Sequence, residues 1–308
     1  MNITPYISLF QTSLELGLIS SLTVLALFLS YSMLNVCDLS TDGCFTLGAA
    51  VGAVVALMGH PFLSIPAAML AGVISGFVTG FLQTKMGIDS LLSGIIVNTG
   101  LYSINIAVMG NSSLLNLNKT ETIFTLYKDA AEGTALEGKT DLIIILLAVA
   151  AVIIILSLFL STRLGLAIRA TGNNPDMVRS SSINPVFTTL TGLCIANAFT
   201  ALSGCMLAEM QKSVNIDIGT GMVTMALASL LIGRAFMGKG RIPVRAIGAV
   251  LGAIIFRIVY ALALRCDMPA YMLKLISSVI VIIAISGPYL KSRIPDIRRR
   301  LEAGKVRS

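Results

Sequence analysis

The sequence has few charged residues, no tryptophan and a single histidine. Of its 308 residues, 12% are charged and 56% are hydrophobic, and the mean hydropathy is +0.89. Soluble domains carry about a quarter of their residues as charges, so the composition excludes a soluble domain and indicates a polytopic membrane protein. Because His60 is the lone histidine, a metal centre built from several histidines is excluded as well.

The five cysteines show no spacing typical of a metal or redox site. Cys37, Cys44, Cys194, Cys205 and Cys266 mostly lie in or beside apolar segments, which predicts small buried thiols. The sequence also lacks a phosphate-binding loop of the GxxxxGK[ST] kind and any credible Ser/His/Asp or metal constellation. We therefore expect no enzyme activity, no catalytic residue, no metal and no cofactor in this chain.

Nine apolar segments predict transmembrane helices, although the second and seventh are shorter than the roughly 20 residues that a spanning helix needs. In the third segment, Gly72, Gly76 and Gly80 line one face and predict close packing against another helix. The expected fold is an all-α polytopic membrane protein with about nine transmembrane helices in a single domain, residues 1–308. The segments are residues 14–34, 44–58, 65–83, 91–109, 142–160, 186–207, 223–236, 244–264 and 271–290.

Lys and Arg concentrate in a few connecting segments, and this bias predicts the orientation. The stretch after the ninth segment, residues 291–308, is rich in both. With this tail in the cytoplasm, alternation puts the other basic segments on the same side and the acidic loop 111–140 outside. We therefore expect a plasma-membrane protein with its C-terminus in the cytoplasm and its N-terminus outside. The net charge of +7 then does not predict nucleic-acid binding.

Two stretches share the same order of features. Residues 35–53, NVCDLSTDGCFTLGAAVGA, and residues 215–233, NIDIGTGMVTMALASLLIG, each follow a long helix and open a short one. An Ile-Pro pair and a Gly-rich helix come after each. The predicted topology gives the copies opposite orientations, which indicates an inverted repeat, unless two Gly/Ala-rich helices merely look alike. The first repeat then covers about residues 14–110 and the second about residues 186–290. A linking helix and the polar segment after it occupy about residues 141–185, and the basic tail occupies residues 291–308.

The polar breaks before the two short helices are the first candidates for a binding site. Backbone left unpaired at membrane depth must line protein or a wet cavity, and broken helices of paired repeats commonly border the substrate path. Asp38, Asp42 and Asp217 belong to these breaks; they either border such a path or cap the short helices that follow. Arg257 is a charge inside a predicted membrane helix, and three roles are open for it. Its side chain either attracts the carboxylate of a solute, pairs with an acid such as Glu209 or extends outward.

Three polar residues of the fourth segment share one helix face. Asn98, Tyr102 and Asn105 stand at positions i, i+4 and i+7. Amide and phenol groups that face lipid are costly, so this face is expected to look inward. There it either bonds to another helix or lines a path.

The longest polar interruption on the predicted cytoplasmic side is residues 162–185, TRLGLAIRATGNNPDMVRSSSINP. Asn174 precedes Pro175, and Asn184 precedes Pro185, and each pair signals a capped helix start. The segment is also basic. We predict a short helix held between two membrane helices and offered to a cytosolic partner; the alternative is an ordinary basic loop that fixes orientation.

This segment resembles the cytoplasmic loop of ABC importer permeases of the branched-chain amino acid and ribose class. The resemblance rests on GLAIRATGNN, MVRSSSIN and the helix end ALSG, and DLSTDG with FTLGAAVGA is similar to an early motif of that class. LLSGIIVNTGLYSINIAVMG and NIDIGTGMVTMALASLLIG resemble one subgroup, the permeases of tryptophan/tyrosine-type importers. The similarity covers about residues 14–290. SSSIN departs from the pattern, in which a small residue and Gly often precede Ile-Asn.

The resemblance implies a permease subunit that alternates between outward-open and inward-open forms. Two permeases, expected to be two copies of this chain, would form the membrane part, and two ATPase subunits holding ATP and Mg would dock below. An extracytoplasmic binding protein, a lipoprotein in Gram-positive bacteria, would deliver a small solute, expected to be an amino acid and aromatic rather than branched-chain.

The resemblance also implies that residues 162–184 form the ATPase-coupling loop. Its small residues would let the partner approach closely, and its arginine would bond acids or carbonyls of the ATPase. The matched positions are Gly165, Ala167, Arg169, Ala170, Gly172, Asn173 and Met177. The candidates for the translocation path are Asp38, Asn98, Tyr102, Asn105, Asp217 and Arg257.

Two rival functions remain open on the sequence alone. One is a secondary transporter driven by an ion gradient, but that mechanism usually needs acids or histidines buried in mid-helix, and the predicted helices contain almost none. The other is a membrane scaffold without transport.

Overall fold

The computed structural model describes residues 4–130, 140–237 and 240–265, together with positions 275, 278–279, 281–282 and 286. Within these ranges the chain forms eleven α-helices, one π-helical segment and two short strands. The helices are α1 (Thr4–Leu27), α2 (Thr41–Leu57), α3 (Pro61–Thr84), α4 (Ser90–Val108), α5 (Ile123–Ala130), α6 (Thr140–Ser161), α7 (Arg163–Asn173), α8 (Pro175–Ser180), α9 (Pro185–Gln211), α10 (Met222–Met237) and α11 (Ile242–Arg265). The π-helical segment is Phe28–Met33, and the strands are β1 (Leu114–Asn116) and β2 (Ser213–Asn215).

The prediction of about nine membrane helices is confirmed only in part. Six of the described helices are long and apolar enough to cross a membrane, namely α1 with its π-helical extension, α3, α4, α6, α9 and α11. Helices α2 and α10, which match the second and seventh predicted segments, are shorter apolar helices. The ninth predicted segment, 271–290, and the basic tail lie outside the fully described ranges.

Helix α9 lies at the centre of the bundle, packed against α1, α2 and α3. The predicted close packing of the glycine face of α3 is confirmed, because a Cβ on Gly72 or Gly76 would overlap the backbone of α9 at Asn197 or Leu193. Gly48 of α2 lies equally close to the backbone of α9 at Ala201. Small residues thus let three helices pack at backbone contact distance in a membrane, where burial of apolar surface alone supplies little drive for association.

The two short helices begin side by side and run in opposite directions. The first turn of α2 lies beside the middle of α9, where Cys44 Sγ donates to Asn197 O (3.3 Å). The same turn of α2 also contacts the first turn of α10. From there, α2 runs toward the end of the bundle that holds β1 and β2, while α10 runs toward the end of α1. The two breaks therefore meet inside the bundle. This geometry suits an inverted repeat, but the equivalence of the two halves stays a prediction.

One detail separates the two halves. Pro66 stands inside α3, five residues after that helix begins at Pro61, whereas the second Ile-Pro pair, Ile242–Pro243, begins α11. The first Gly-rich helix thus starts earlier than its Ile-Pro pair suggests. Pro61 is tolerated because the first turn of a helix has no intrahelical partners for its N–H groups, whereas Pro66 lies beyond that turn and costs α3 one intrahelical hydrogen bond.

A small antiparallel sheet, which the sequence did not predict, joins the loop after α4 to the segment after α9. Leu115 pairs with Val214, and backbone bonds continue on both sides of the sheet. Beside it, the buried carboxylate of Glu209 accepts hydrogen bonds from Ser64 Oγ of α3 and from the backbone N–H of Ile123 in α5 (3.1 Å). The sheet and Glu209 fasten this end of the bundle to α9.

Candidate functional site

A polar cavity of about 400 Å³ lies where the two breaks meet. Its wall consists of one face of α4, the first turns of α2 and the break before α10. Carboxylate, amide, hydroxyl and phenol groups predominate, and no basic side chain is among the described residues that line it. The lining residues are Asp42, Gly43, Thr46, Asn98, Thr99, Tyr102, Ser103, Asn105, Ile216, Asp217 and Thr220.

Asp42 joins the two short helices at the floor of this cavity. It lies in the first turn of α2, but its carboxylate accepts hydrogen bonds from the backbone N–H groups of Gly221 (3.0 Å) and Val223 (2.8 Å) at the start of α10. The expectation that Asp42 caps the helix that follows it is therefore wrong, since it caps the short helix of the other half. A carboxylate also suits the positive end of the α10 dipole. Nothing local in the sequence signals this contact.

The predicted polar face of α4 lies on the cavity. Asn105 is buried, its Nδ2 donates to Gly43 O (3.1 Å), and its Oδ1 has no hydrogen-bond partner in the described part of the chain. Asn98 is half-buried against Gly43, while the Tyr102 side chain is 51% exposed. One residue of this face therefore bonds to another helix and the other two leave polar groups at the cavity.

Asp217 lies at the same cavity, on the break before α10, with an exposed side chain. Thr46 and Thr220, which the sequence reasoning did not single out, join it there, and Thr46 Oγ1 accepts from the N–H of Gly219 (3.2 Å). Gly219 lies against Asp42 so closely that a Cβ would overlap the carbonyl oxygen of Asp42. This glycine is what allows the two breaks to touch.

Asp38 is not at the cavity but is 1% exposed inside the bundle. One carboxylate oxygen accepts from Ser40 N (2.8 Å) and Ser40 Oγ (2.6 Å), and the other accepts from Asn197 Nδ2 (2.9 Å) in the middle of α9. Thr79 of α3 donates to Ser40 Oγ (3.2 Å). Asp38 therefore ties the first break to α9 through a hydrogen-bonded network.

Arg257 also lies away from the cavity, on α11 where that helix packs against α1. Its side chain faces Gly17, its guanidinium carbon is 5.7 Å from the centre of the Tyr260 ring, and its buried Nε has no hydrogen-bond partner among the described residues. The pairing with Glu209 that the sequence left open does not form, because that carboxylate bonds to Ser64 and Ile123 instead.

The two helix caps predicted in the segment 162–185 are confirmed. Asn174 Oδ1 accepts from the N–H groups of Asp176 (3.1 Å) and Met177 (3.0 Å), and Asn184 Oδ1 accepts from Val186 N (3.0 Å). The segment contains more helix than predicted, however, because residues 163–173 form α7 before the short α8 begins. Thr162, whose Oγ1 accepts from Gly165 N (3.2 Å), caps that additional helix.

Two glycines of this segment serve contacts inside the chain. A Cβ on Gly165 would overlap Phe159 O at the end of α6, and a Cβ on Gly172 would overlap Met33 O at the end of the π-helical segment. The expectation that these glycines make room for a partner is thus wrong. They let α7 pack onto its own bundle, next to the start of the first break.

Other side chains of the segment remain available to a partner. Asn173 and Met177 are exposed, the latter at 61%, while Ala167, Arg169 and Ala170 are half-buried along α7. The exposed surface mixes apolar and basic groups, because Leu166, Ile183 and Phe187 are exposed close to Arg163 and Arg179.

The apolar helices, the broken pair at a polar cavity and the helical segment at one end define a polytopic membrane protein built like a transport permease. Comparison with known proteins agrees: the chain belongs to the family described as branched-chain amino acid transport system / permease component, whose model matches residues 9–285. This family consists of transport components rather than enzymes.

Similar proteins carry transport names. The chain is 32% identical over 270 residues to a tyrosine transport system permease protein of Clostridioides difficile (strain R20291), covering 86% of each chain. It is 25% identical over 251 residues to a ribose import permease protein of Escherichia coli (strain K12), covering 80% of this chain and 75% of that protein. A nucleoside ABC transporter permease protein of Lactococcus lactis is 25% identical over 231 residues, 65% of this chain and 64% of its own length. No solved structure matches the chain significantly.

Proposed function

We propose that this chain is the membrane-spanning permease subunit of an ATP-driven importer and that solute passes through the polar cavity between the two breaks. The observation that carries this proposal is the meeting of two broken helices at a polar cavity inside an apolar bundle. Irregular backbone and polar side chains at membrane depth persist where they line a wet space. Asn98, Tyr102 and Asp217 supply hydrogen-bonding groups to the passing solute, and Asp42 fixes the floor.

Two copies of the chain form the complete path. In a single copy, the polar side chains of Thr99, Tyr102 and Ser103 are exposed on α4. Facing lipid, Tyr102 and Ser103 would lose their hydrogen bonds with water, at about 1–3 kcal/mol per group, whereas Thr99 Oγ1 keeps its bond to Ile95 O (2.9 Å). A second copy that covers this side removes that cost and encloses the cavity.

The ATPase subunit, which binds ATP and Mg, docks on α7 and α8. Arg169, Asn173 and Met177 contact it, with Ala167 and Ala170 between them, while the contact of Gly172 with Met33 transmits its movement to the first break. The first break leads directly into the first turn of α2, where Asp42 lies at the floor of the cavity. A shift of α7 that moves this break therefore also moves the floor of the cavity. In this account the C-terminus is in the cytoplasm, the N-terminus is outside, and the protein spans the plasma membrane.

The solute is an amino acid handed over by an extracytoplasmic binding protein at the end that holds β1 and β2. Two observations support this class: the carboxylates at the cavity suit a solute ammonium group, and a similar protein is named a tyrosine transport system permease. The second observation favours an aromatic amino acid over a branched-chain one.

Uptake into vesicles tests the proposal. The full chain is reconstituted with its ATPase subunit and binding protein, and uptake of labelled tyrosine and leucine is measured with ATP enclosed. We expect ATP-dependent uptake that persists when proton and sodium gradients are collapsed, with tyrosine preferred. Uptake that follows an imposed gradient without ATP would favour the secondary transporter. Absence of any flux would favour the scaffold.

A further inference from the structure

A group of arginines at one end of the bundle has no acidic partner in the part of the chain that the structure describes. Arg245, in the first turn of α11, and Arg234, in the last turn of α10, line the same small cavity beside the π-helical segment. Arg169 of α7 and Arg234 both lie near enough to Arg245 for their charges to repel its own. Among the described residues, no carboxylate forms an ion pair with any of the three.

The position of Arg245 is fixed. Its NH2 group donates to Ser32 Oγ (2.9 Å), and its guanidinium carbon lies 5.4 Å from the centre of the Phe28 ring. A half-buried arginine held in this way loses part of its hydration and cannot move away from its neighbours. Three like charges at such a place are unfavourable unless an anion joins them.

The surface next to these arginines is apolar. Phe236 is 72% exposed, Val244 is 39% exposed and Ile247 is 44% exposed, and all three belong to the facing ends of α10 and α11. A ligand that fits both features has an anionic head and an apolar body. Phospholipids of negative charge have this chemistry, and basic pockets between transmembrane helices bind their head groups.

We propose that Arg234 and Arg245, which lie near the charge of Arg169, bind the phosphate group of an anionic phospholipid whose acyl chains lie on Phe236, Val244 and Ile247. The guanidinium groups bond the phosphate oxygens, which Arg does in a planar two-pronged geometry. Since Arg169 of α7 lies near Arg245, the charge of a bound phosphate also offsets the repulsion between the two arginines.

Fluorescence quenching tests this site, because the chain contains no tryptophan. Phe236→Trp places one reporter beside the arginines in the full-length chain, which is reconstituted in vesicles of equal phosphatidylglycerol and phosphatidylcholine with one or the other lipid brominated. We expect quenching to show about a tenfold preference for phosphatidylglycerol. The preference should fall to about one in Arg234→Gln/Arg245→Gln and stay high in Arg245→Lys, which keeps the charge.

Lys85→Gln is the matched control. It removes one positive charge at an exposed position in the turn between α3 and α4, away from α10 and α11, and should leave the preference unchanged. Arg234→Gln alone, at an exposed position, should lower the preference without risk to folding. An unchanged preference in all arginine-to-glutamine variants, or no preference in the parent, overturns the proposal. Loss of the preference on adding inorganic phosphate would assign the site to free phosphate instead of lipid.

Discussion

At the scale of single residues, two aspartates four positions apart hold two different parts of the molecule. Asp38 bonds to Asn197 in the middle of α9, whereas Asp42 caps α10. Asp38 belongs to the first break and Asp42 to the first turn of α2 directly after it, so the break is held at both of these points although it has no regular structure. The backbone of the break lacks the intrahelical hydrogen bonds of a helix. Side-chain hydrogen bonds to neighbouring helices are therefore needed to keep its shape beside the polar cavity.

Asp38 is expected to stabilise the folded protein through its hydrogen bonds. Replacing it with Ala leaves two donors of Ser40 and one of Asn197 buried without an acceptor. We expect the free energy of unfolding to fall by about 2–4 kcal/mol, measured by denaturant titration of the purified chain in detergent.

The exchange Asp38→Asn with Asn197→Asp is the rescue for this prediction. It keeps a donor and an acceptor between the break and α9, so it should recover most of the loss. Asp217→Ala, at an exposed position, should change the stability by less than about 0.5 kcal/mol. A parent-like stability of Asp38→Ala would show that the network contributes nothing.

At the scale of elements, glycine decides how closely the helices pack around α9. Gly76→Ala places a Cβ into the backbone of α9 at Leu193, and we expect a loss of about 1–3 kcal/mol, since a packed core resists overfilling. Gly100→Ala is the matched control on α4, because a Cβ there meets nothing within 4 Å. It should be neutral or stabilising by up to about 1 kcal/mol. Equal thermal midpoints for the two variants would contradict this account of the packing.

Features encoded within a few residues could be predicted from the sequence. The caps at Asn174 and Asn184 and the glycine face of α3 each rest on a short spacing, and each is confirmed. The nearness of Asn98, Tyr102 and Asn105 also follows from the period of one helix, although whether they line a path is a separate question.

Contacts between distant parts of the chain could not be predicted in this way. Asp42 bonds to residues 179 and 181 positions away, and β1 pairs with β2 about 100 positions further along the chain. Helix α7 was missed because Gly165 and Gly172 weaken a helix signal, whereas their real role is to fit the helix against α6 and the π-helical segment.

At the scale of the whole molecule, the proposed importer requires that α7 and α8 hold an ATPase subunit. Met177→Glu and Arg169→Glu alter an exposed apolar contact and a basic contact of that surface. Loss of one central contact weakens a protein interface by about 2 kcal/mol or more, which is about thirtyfold in affinity, so we expect at least about tenfold less ATPase to co-purify with either variant from mild detergent. Lys119→Glu, exposed near β1 at the other end of the bundle, should co-purify like the parent.

Transport through the cavity between the breaks requires that this cavity be hydrated, and cysteine labelling measures its hydration. Tyr102 and Ile104 are both 51% exposed on α4, but Tyr102 faces the polar cavity and Ile104 an apolar cleft between α3 and α4. In a chain whose own five cysteines are replaced by alanine, each is changed to Cys and treated with a water-soluble maleimide in vesicles. We expect Tyr102→Cys to be labelled at least about tenfold faster than Ile104→Cys, because only a hydrated thiol ionises and reacts. Equal rates, or faster labelling of Ile104→Cys, would contradict it.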